Sequence, residues 1–140
     1  MHNRTRIRQT LTDYLRENLE GIEVHCGRRL VLQTSDLPCV CVYTDQENHI
    51  LFSDTPKVMK NTLDVVFEII LGGLENLDDL LDERARQIDS LLSEFDPLKL
   101  DLMTLQPRST QVQYSTQGET LIGSLRITYE AIYLSEWLVA

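Results

Sequence analysis

Apolar residues recur along this chain in two rhythms, and the switches between them divide it into elements. From Arg4 to Leu19 they fall at Ile7, Leu11, Tyr14, Leu15 and Leu19, a spacing of three to four that lines one face of a helix. Gly21 follows as the stop. "IEVHC" then alternates, with Ile22, Val24 and Cys26 on one side, and predicts a first strand. Gly27-Arg28-Arg29 turns the chain, and "LVLQTSDLP" leads into a second strand, "CVCVYT". From Lys60 to Leu71 the residues Leu63, Val65, Phe67, Ile69 and Leu71 alternate with Thr62, Asp64, Val66, Glu68 and Ile70, the period of a strand with a strongly apolar face. Gly72-Gly73 ends it.

The longer period then returns. Leu77, Leu80, Leu81, Ala85, Ile88, Leu91, Leu92 and Phe95 form a broad helical stripe, with Asn76 as the expected N-cap and Asp78 and Asp79 in the first turn. Pro97 stops this helix, "LKLDLMTLQP" reads as a connector, and "STQVQYST" as a half-exposed strand. After the turn "QGET", Leu125, Ile127, Tyr129, Ala131 and Tyr133 alternate with polar neighbours in a last long strand. The order helix-β-β-β-helix-β-β predicts an α+β fold, a mostly antiparallel sheet of four to five strands packed with two amphipathic helices. Residues 1-140 are read as a single domain.

One stretch resists this division. Asp45 to Lys57 has no clear period, yet carries the apolar island Ile50-Leu51-Phe52. It reads as a long loop or a hairpin arm at about 45-60, and its three apolar residues form either a short extra strand or an anchor for a partner. Trp137, the only tryptophan, raises the same choice near the C-terminus, beside Leu138 and Val139.

Charge narrows the partners. Thirteen Lys and Arg against 22 Asp and Glu give a net charge of -9, the wrong sign for gripping a phosphate backbone over a broad face. The exception is the start, where Arg4, Arg6 and Arg8 stand without an acid; with Ile50, Leu51, Phe52 and Trp137 they are the candidate subunit or partner contacts. The longest apolar run is broken by Asp64 and Glu68, so no membrane span is expected. The N-terminus passes directly into an amphipathic pattern, without an apolar leader, and a cytoplasmic start is the expectation.

No catalytic constellation emerges. Cys39 and Cys41 are two apart on a strand and so share a face, one residue short of a zinc-knuckle gap, and no second ligand pair follows. Free cysteine is usually a small buried hydrophobe, so "CVCVY" reads as a core strand. Gly72-Gly73 lacks phosphate-loop spacing, and the acids Glu75, Asp78, Asp79, Asp82 and Glu83 match no calcium loop and fall mostly on a solvent face. Neither an enzyme, a metal site nor a cofactor is expected.

Taken together, "RIRQTLTDYLRENLEGIEVHCGR", "DLPCVCVYTDQE", "TLDVVFEIIL", "LDDLLDERARQIDSLL" and "YSTQGETLIGSLRITYEAIY" resemble the tail terminator proteins of long-tailed bacteriophages, of the minor tail protein U type. The resemblance runs from about Arg4 to Tyr133; the cysteine-rich second strand departs from it in core chemistry only. It implies a structural protein of the virion tail, assembled in the bacterial host cytoplasm. Six copies would form a ring that caps the tail tube, halts polymerisation of the tube protein and presents its other face to head completion or connector proteins. DNA would be passing cargo, repelled by the 54 formal negative charges of six copies at -9 each. Two other classes are compatible with parts of the pattern: another head-tail joining or tail completion protein, and a small thiol- or zinc-dependent enzyme, which needs Cys39 and Cys41 exposed.

Overall fold

The computed structural model describes residues 2–27, 37–73 and 75–137. The predicted turn at Arg28 and Arg29, the lead-in from Leu30 to Asp36, and Leu138 and Val139 lie outside them. In chain order the elements are α1 (Asn3–Asn18), β1 (Glu23–Cys26), β2 (Cys39–Asp54), β3 (Lys57–Gly73), α2 (Leu77–Glu94), a 3-10 turn (Pro97–Leu100), β4 (Leu102–Gln117) and β5 (Thr120–Glu136). The fold is α+β, as the two rhythms predict.

The strands form one sheet in the order β1-β2-β3-β5-β4. Every pairing is antiparallel except β1 with β2, which run parallel from Glu23↔Cys39 to Cys26↔Val42. Both helices lie on one face. The alternation read in β3 and β5 points Leu63, Val65, Phe67 and Ile69 with Leu125, Ile127, Tyr129 and Ala131 toward them. The α1 stripe Ile7, Leu11 and Leu15 closes over this layer from one side, and Leu77, Leu81, Ile88 and Leu92 of α2 from the other. Phe67 stands edge-on to Tyr129 at 5.5 Å between ring centroids, and burying a side chain of that size contributes about 1.5–3 kcal/mol. Tyr14 and Phe95 link the helices in the same manner at 5.0 Å.

The opposite face is thinly covered. A smaller cluster of Cys39, Cys41, Tyr43, Val66, Ile70 and Ile122 fills it at one end, so the two cysteines sit in packing, as expected of "CVCVY". Cys26 is exposed, because it ends β1 beyond the buried Val24.

Several local expectations need correction. Asn76 holds the N-cap position but adopts a left-handed backbone, φ 58°, and its side chain makes no capping bond. The connector "LKLDLMTLQP" is mostly strand: only Pro97–Leu100 forms the 3-10 turn, and β4 starts at Leu102. Its alternation is hidden by register shifts between Leu102 and Thr104 and between Pro107 and Ser109. From Gln106 to Thr116 β4 is exposed on both faces, not half-exposed. Leu80, counted in the α2 stripe, is half exposed at 51%.

Gly123 of β5 lets α2 approach the sheet. A Cβ there would stand 2.9 Å from Leu81 Cδ1 and 3.0 Å from Leu77 Cδ2. Replacing Gly123 with Val should therefore lower unfolding free energy by about 1–3 kcal/mol, the usual range for overpacking, read as a lower urea midpoint with the slope unchanged.

Candidate functional site

Beyond the helix layer, β2 and β3 continue together as an antiparallel arm. Their pairing runs from Glu47↔Leu63 through His49↔Asn61 and Leu51↔Met59 to Asp54↔Lys57 at the tip. Register shifts between Thr44 and Glu47 and between Leu51 and Ser53 interrupt its alternation. Ile50, Leu51 and Phe52 are 60%, 51% and 57% exposed on this arm, so they belong to a strand and still lack cover.

The base of the arm is held by a polar cluster. Glu47 has only 7% of its side chain exposed. Its carboxylate accepts from Arg4 Nη1 at 2.9 Å and from the Tyr133 hydroxyl at 2.6 Å, and His49 Nε2 stands 3.6 Å away. His49 Nδ1 in turn lies 2.5 Å from Asn61 Oδ1, and Asn61 Nδ2 donates to Ser135 Oγ at 2.8 Å. A buried carboxylate with one neighbour would be costly; with a guanidinium and a phenol on its two oxygens it fixes α1, β2 and β5 to one another.

This cluster borders a cavity of about 700 Å³ lined in part by Arg4, Glu47, His49, Met59, Tyr133 and Trp137. Trp137, 54% exposed, is anchored there by its backbone N–H, which donates to the Lys57 carbonyl at 3.0 Å, and by the Lys57 ammonium 4.7 Å from its ring centroid. Arg4 and Trp137, two candidates far apart in sequence, thus meet at the foot of the arm that carries Ile50, Leu51 and Phe52. Arg6 and Arg8 do not join them. Arg6 pairs with Asp101 at 3.0 Å and Arg8 donates to Thr44 Oγ1 at 3.4 Å, ties that tether α1 within the chain.

Glu47 lies in the stretch without periodicity, where a polar residue carries no sign of its partners; Asn61 and Tyr133 lie in periodic strands, but the alternation that places them says nothing of the polar groups they meet across the sheet. A second network had a signal. Asp64 and Glu68 interrupt the apolar run of β3, and acids inside a central strand need partners. Asp64, 5% exposed, receives both guanidinium nitrogens of Arg108 at 2.7 and 2.8 Å. Glu68 accepts from the Tyr43 hydroxyl at 2.8 Å and Ser124 Oγ at 2.6 Å. Among the described residues no group of three or more His, Cys, Asp and Glu is placed to hold a metal ion, and no helix is long and apolar enough to cross a membrane.

Burial, and then the hydrogen bond to a carboxylate, push two phenols well above their ordinary range: Tyr133 beside Glu47 and Tyr129 beside Asp89. Above about pH 10 the unfolded chain releases these protons while the folded chain keeps them. The folded state then binds more protons, and stability falls as pH rises. Urea unfolding between pH 8 and 11 should show that decline, and Tyr129→Phe or Tyr133→Phe should flatten it.

No curated protein matches the chain. The family model described as phage minor tail protein U matches residues 2–133, and so takes in both helices, all five strands to near the end of β5, and the arm. This chain belongs to the phage minor tail protein U family and is a structural component of a phage tail.

Proposed function

We propose that this chain is a tail terminator: six copies form a ring that caps the finished tail tube, stops addition of further tube protein and offers its other face to the head completion or connector protein. Assembly takes place in the host cytoplasm. The observation that carries this reading is the arm, which holds Ile50, Leu51 and Phe52 in ordered strand yet exposed, on a chain of the minor tail protein U family. Three neighbouring apolar side chains on a projecting hairpin lose little entropy on docking, because the strand is already formed. A ring made by rotation uses two different patches on each subunit and leaves two non-equivalent faces, which a cap between tube and head requires.

Polymerising the cognate tube protein with and without this chain tests the reading, with tube length measured by electron microscopy. The expected result is shorter tubes that do not elongate when fresh tube protein is added. Leu51→Asp and Phe52→Ser should weaken capping at least tenfold while leaving the circular dichroism unchanged, since both side chains are more than half exposed. Tubes of unchanged length that keep growing in the presence of wild-type chain would overturn it.

A further inference from the structure

The sheet ends in an edge that natural proteins seldom leave open. β4 is the outermost strand among the described residues, and its far half, Ser109 to Gln117, contains no charged residue and no proline. Exposed edges are ordinarily blunted by lysine, proline or a bulge. Here those devices stop short: Pro107, Arg108 and the register shift guard only the near half. A two-residue turn, Gly118-Glu119, closes β4 onto β5 at Gln117↔Thr120. Gly118 supplies the positive φ, 64°, that such a turn needs at its first position. The closing pair of a two-residue hairpin exchanges both hydrogen bonds, and antiparallel pairing then alternates. Consequently Thr110, Val112, Tyr114 and Thr116 direct their N–H and C=O groups outward.

A second open edge exists on the other side of the same sheet. β1 covers β2 only from Cys39 to Val42, so from Asn48 to Asp54 the outer side of β2 has no strand partner among the described residues. β2 is antiparallel to β3, β3 to β5 and β5 to β4, and therefore β2 and β4 run in opposite senses. The far half of β4 stands level with Val66–Gly73 of β3 and the arm with Lys57–Thr62, so a neighbouring copy displaced along the strands by about ten residues, roughly 33 Å at 3.3 Å per residue, sets its β2 arm antiparallel against β4, the favourable sense.

We infer that a second copy of this chain completes the sheet: β4 of one subunit, over Ser109–Gln117, pairs with the arm strand of its neighbour, over Asn48–Asp54. This rests on the ring reading and supplies its joint. The side chains agree. Val112 and Tyr114 are 44% and 46% exposed on the helix side of β4, as shown by their partners Leu125 and Gly123. Leu51 lies on the same side of the arm, opposite Met59. The joint places these apolar groups together as cross-strand neighbours. Pairing β4 with another β4 would leave Ile50, Leu51 and Phe52 uncovered; joining β4 to the arm covers both surpluses. Two different edges make the contact heterologous, and its repetition closes a ring when the strands tilt against the ring axis enough to absorb the offset between the edges.

Light scattering on a sizing column tests the joint, using wild type, Val112→Pro and Leu51→Lys. Proline at 112 removes an outward N–H and spares the β4–β5 ladder, and Leu51 is exposed, so both variants should keep wild-type circular dichroism. Wild type is expected near six times 16.2 kDa and each variant at 16.2 kDa. Mixed, the variants should form a species of two subunits and no larger, because each retains the edge the other lacks. Val112→Pro at the wild-type mass would overturn the joint and leave the ring reading standing. Leu51→Lys forming two-subunit species alone would overturn it in favour of β4 pairing with β4. Wild type monomeric to its highest soluble concentration would overturn both the joint and a preformed ring.

Discussion

Strand length exceeding helix length is the constraint on which the rest of this molecule depends. β2 and β3, with 16 and 17 residues, extend about 53 and 56 Å at 3.3 Å per residue. The longer helix, α2 with 18 residues, covers about 27 Å at 1.5 Å per residue. A helix layer half the length of the sheet can bury only part of it, and the two helices are spent on the segments that carry Leu63 to Ile69 and Leu125 to Ala131. The remainder of the sheet, the arm and β4 from Gln106 onward, is held in register by backbone pairing and by side-chain networks in place of a core. Hence the acids. Asp64 reaches across β5 to Arg108, stitching the edge strand to the centre, and Glu47 gathers Arg4 and Tyr133 where the arm leaves the helix layer.

The same constraint decides what could be read from the sequence. Where a face is buried, the pattern is strict: β3 and β5 alternate along the length the helices cover, and α1 and α2 keep their stripes. Where neither face is covered, as on the distal half of β2, no selection for alternation acts on the residues, and the pattern fades. The first half of β4 keeps Leu102 in the core, but register shifts between Leu102 and Thr104 and between Pro107 and Ser109 displace its alternation, as others do in β2. The loop-or-arm choice for Asp45 to Lys57 could not be settled from the residues for that reason, nor could "LKLDLMTLQP" be seen as the approach to a strand.

Legibility of the site divides along a similar line. Ile50, Leu51, Phe52 and Trp137 stood out because apolar residues without an evident core are anomalous in any segment, and each is exposed in the fold. Arg4 was marked only as part of a small basic cluster, and the fold separates it from Arg6 and Arg8 by giving it the buried Glu47. Polar partnerships of this kind depend on strand register, which a single sequence does not encode in any local signature. Family membership makes the chain a phage tail protein, and the fold leaves its arm and the far half of β4 uncovered.

The claim that another chain finishes these edges can be tested at the level of single amides. Hydrogen exchange of wild-type protein, followed by NMR at dilute and at assembling concentrations, separates the outward amides of Thr110, Val112, Tyr114 and Thr116 from the inward amides of Gln111, Gln113 and Ser115. The inward set is expected to be protected at both concentrations, and the outward set to gain at least tenfold protection on assembly. Outward amides that exchange equally fast in the assembled state would contradict that claim.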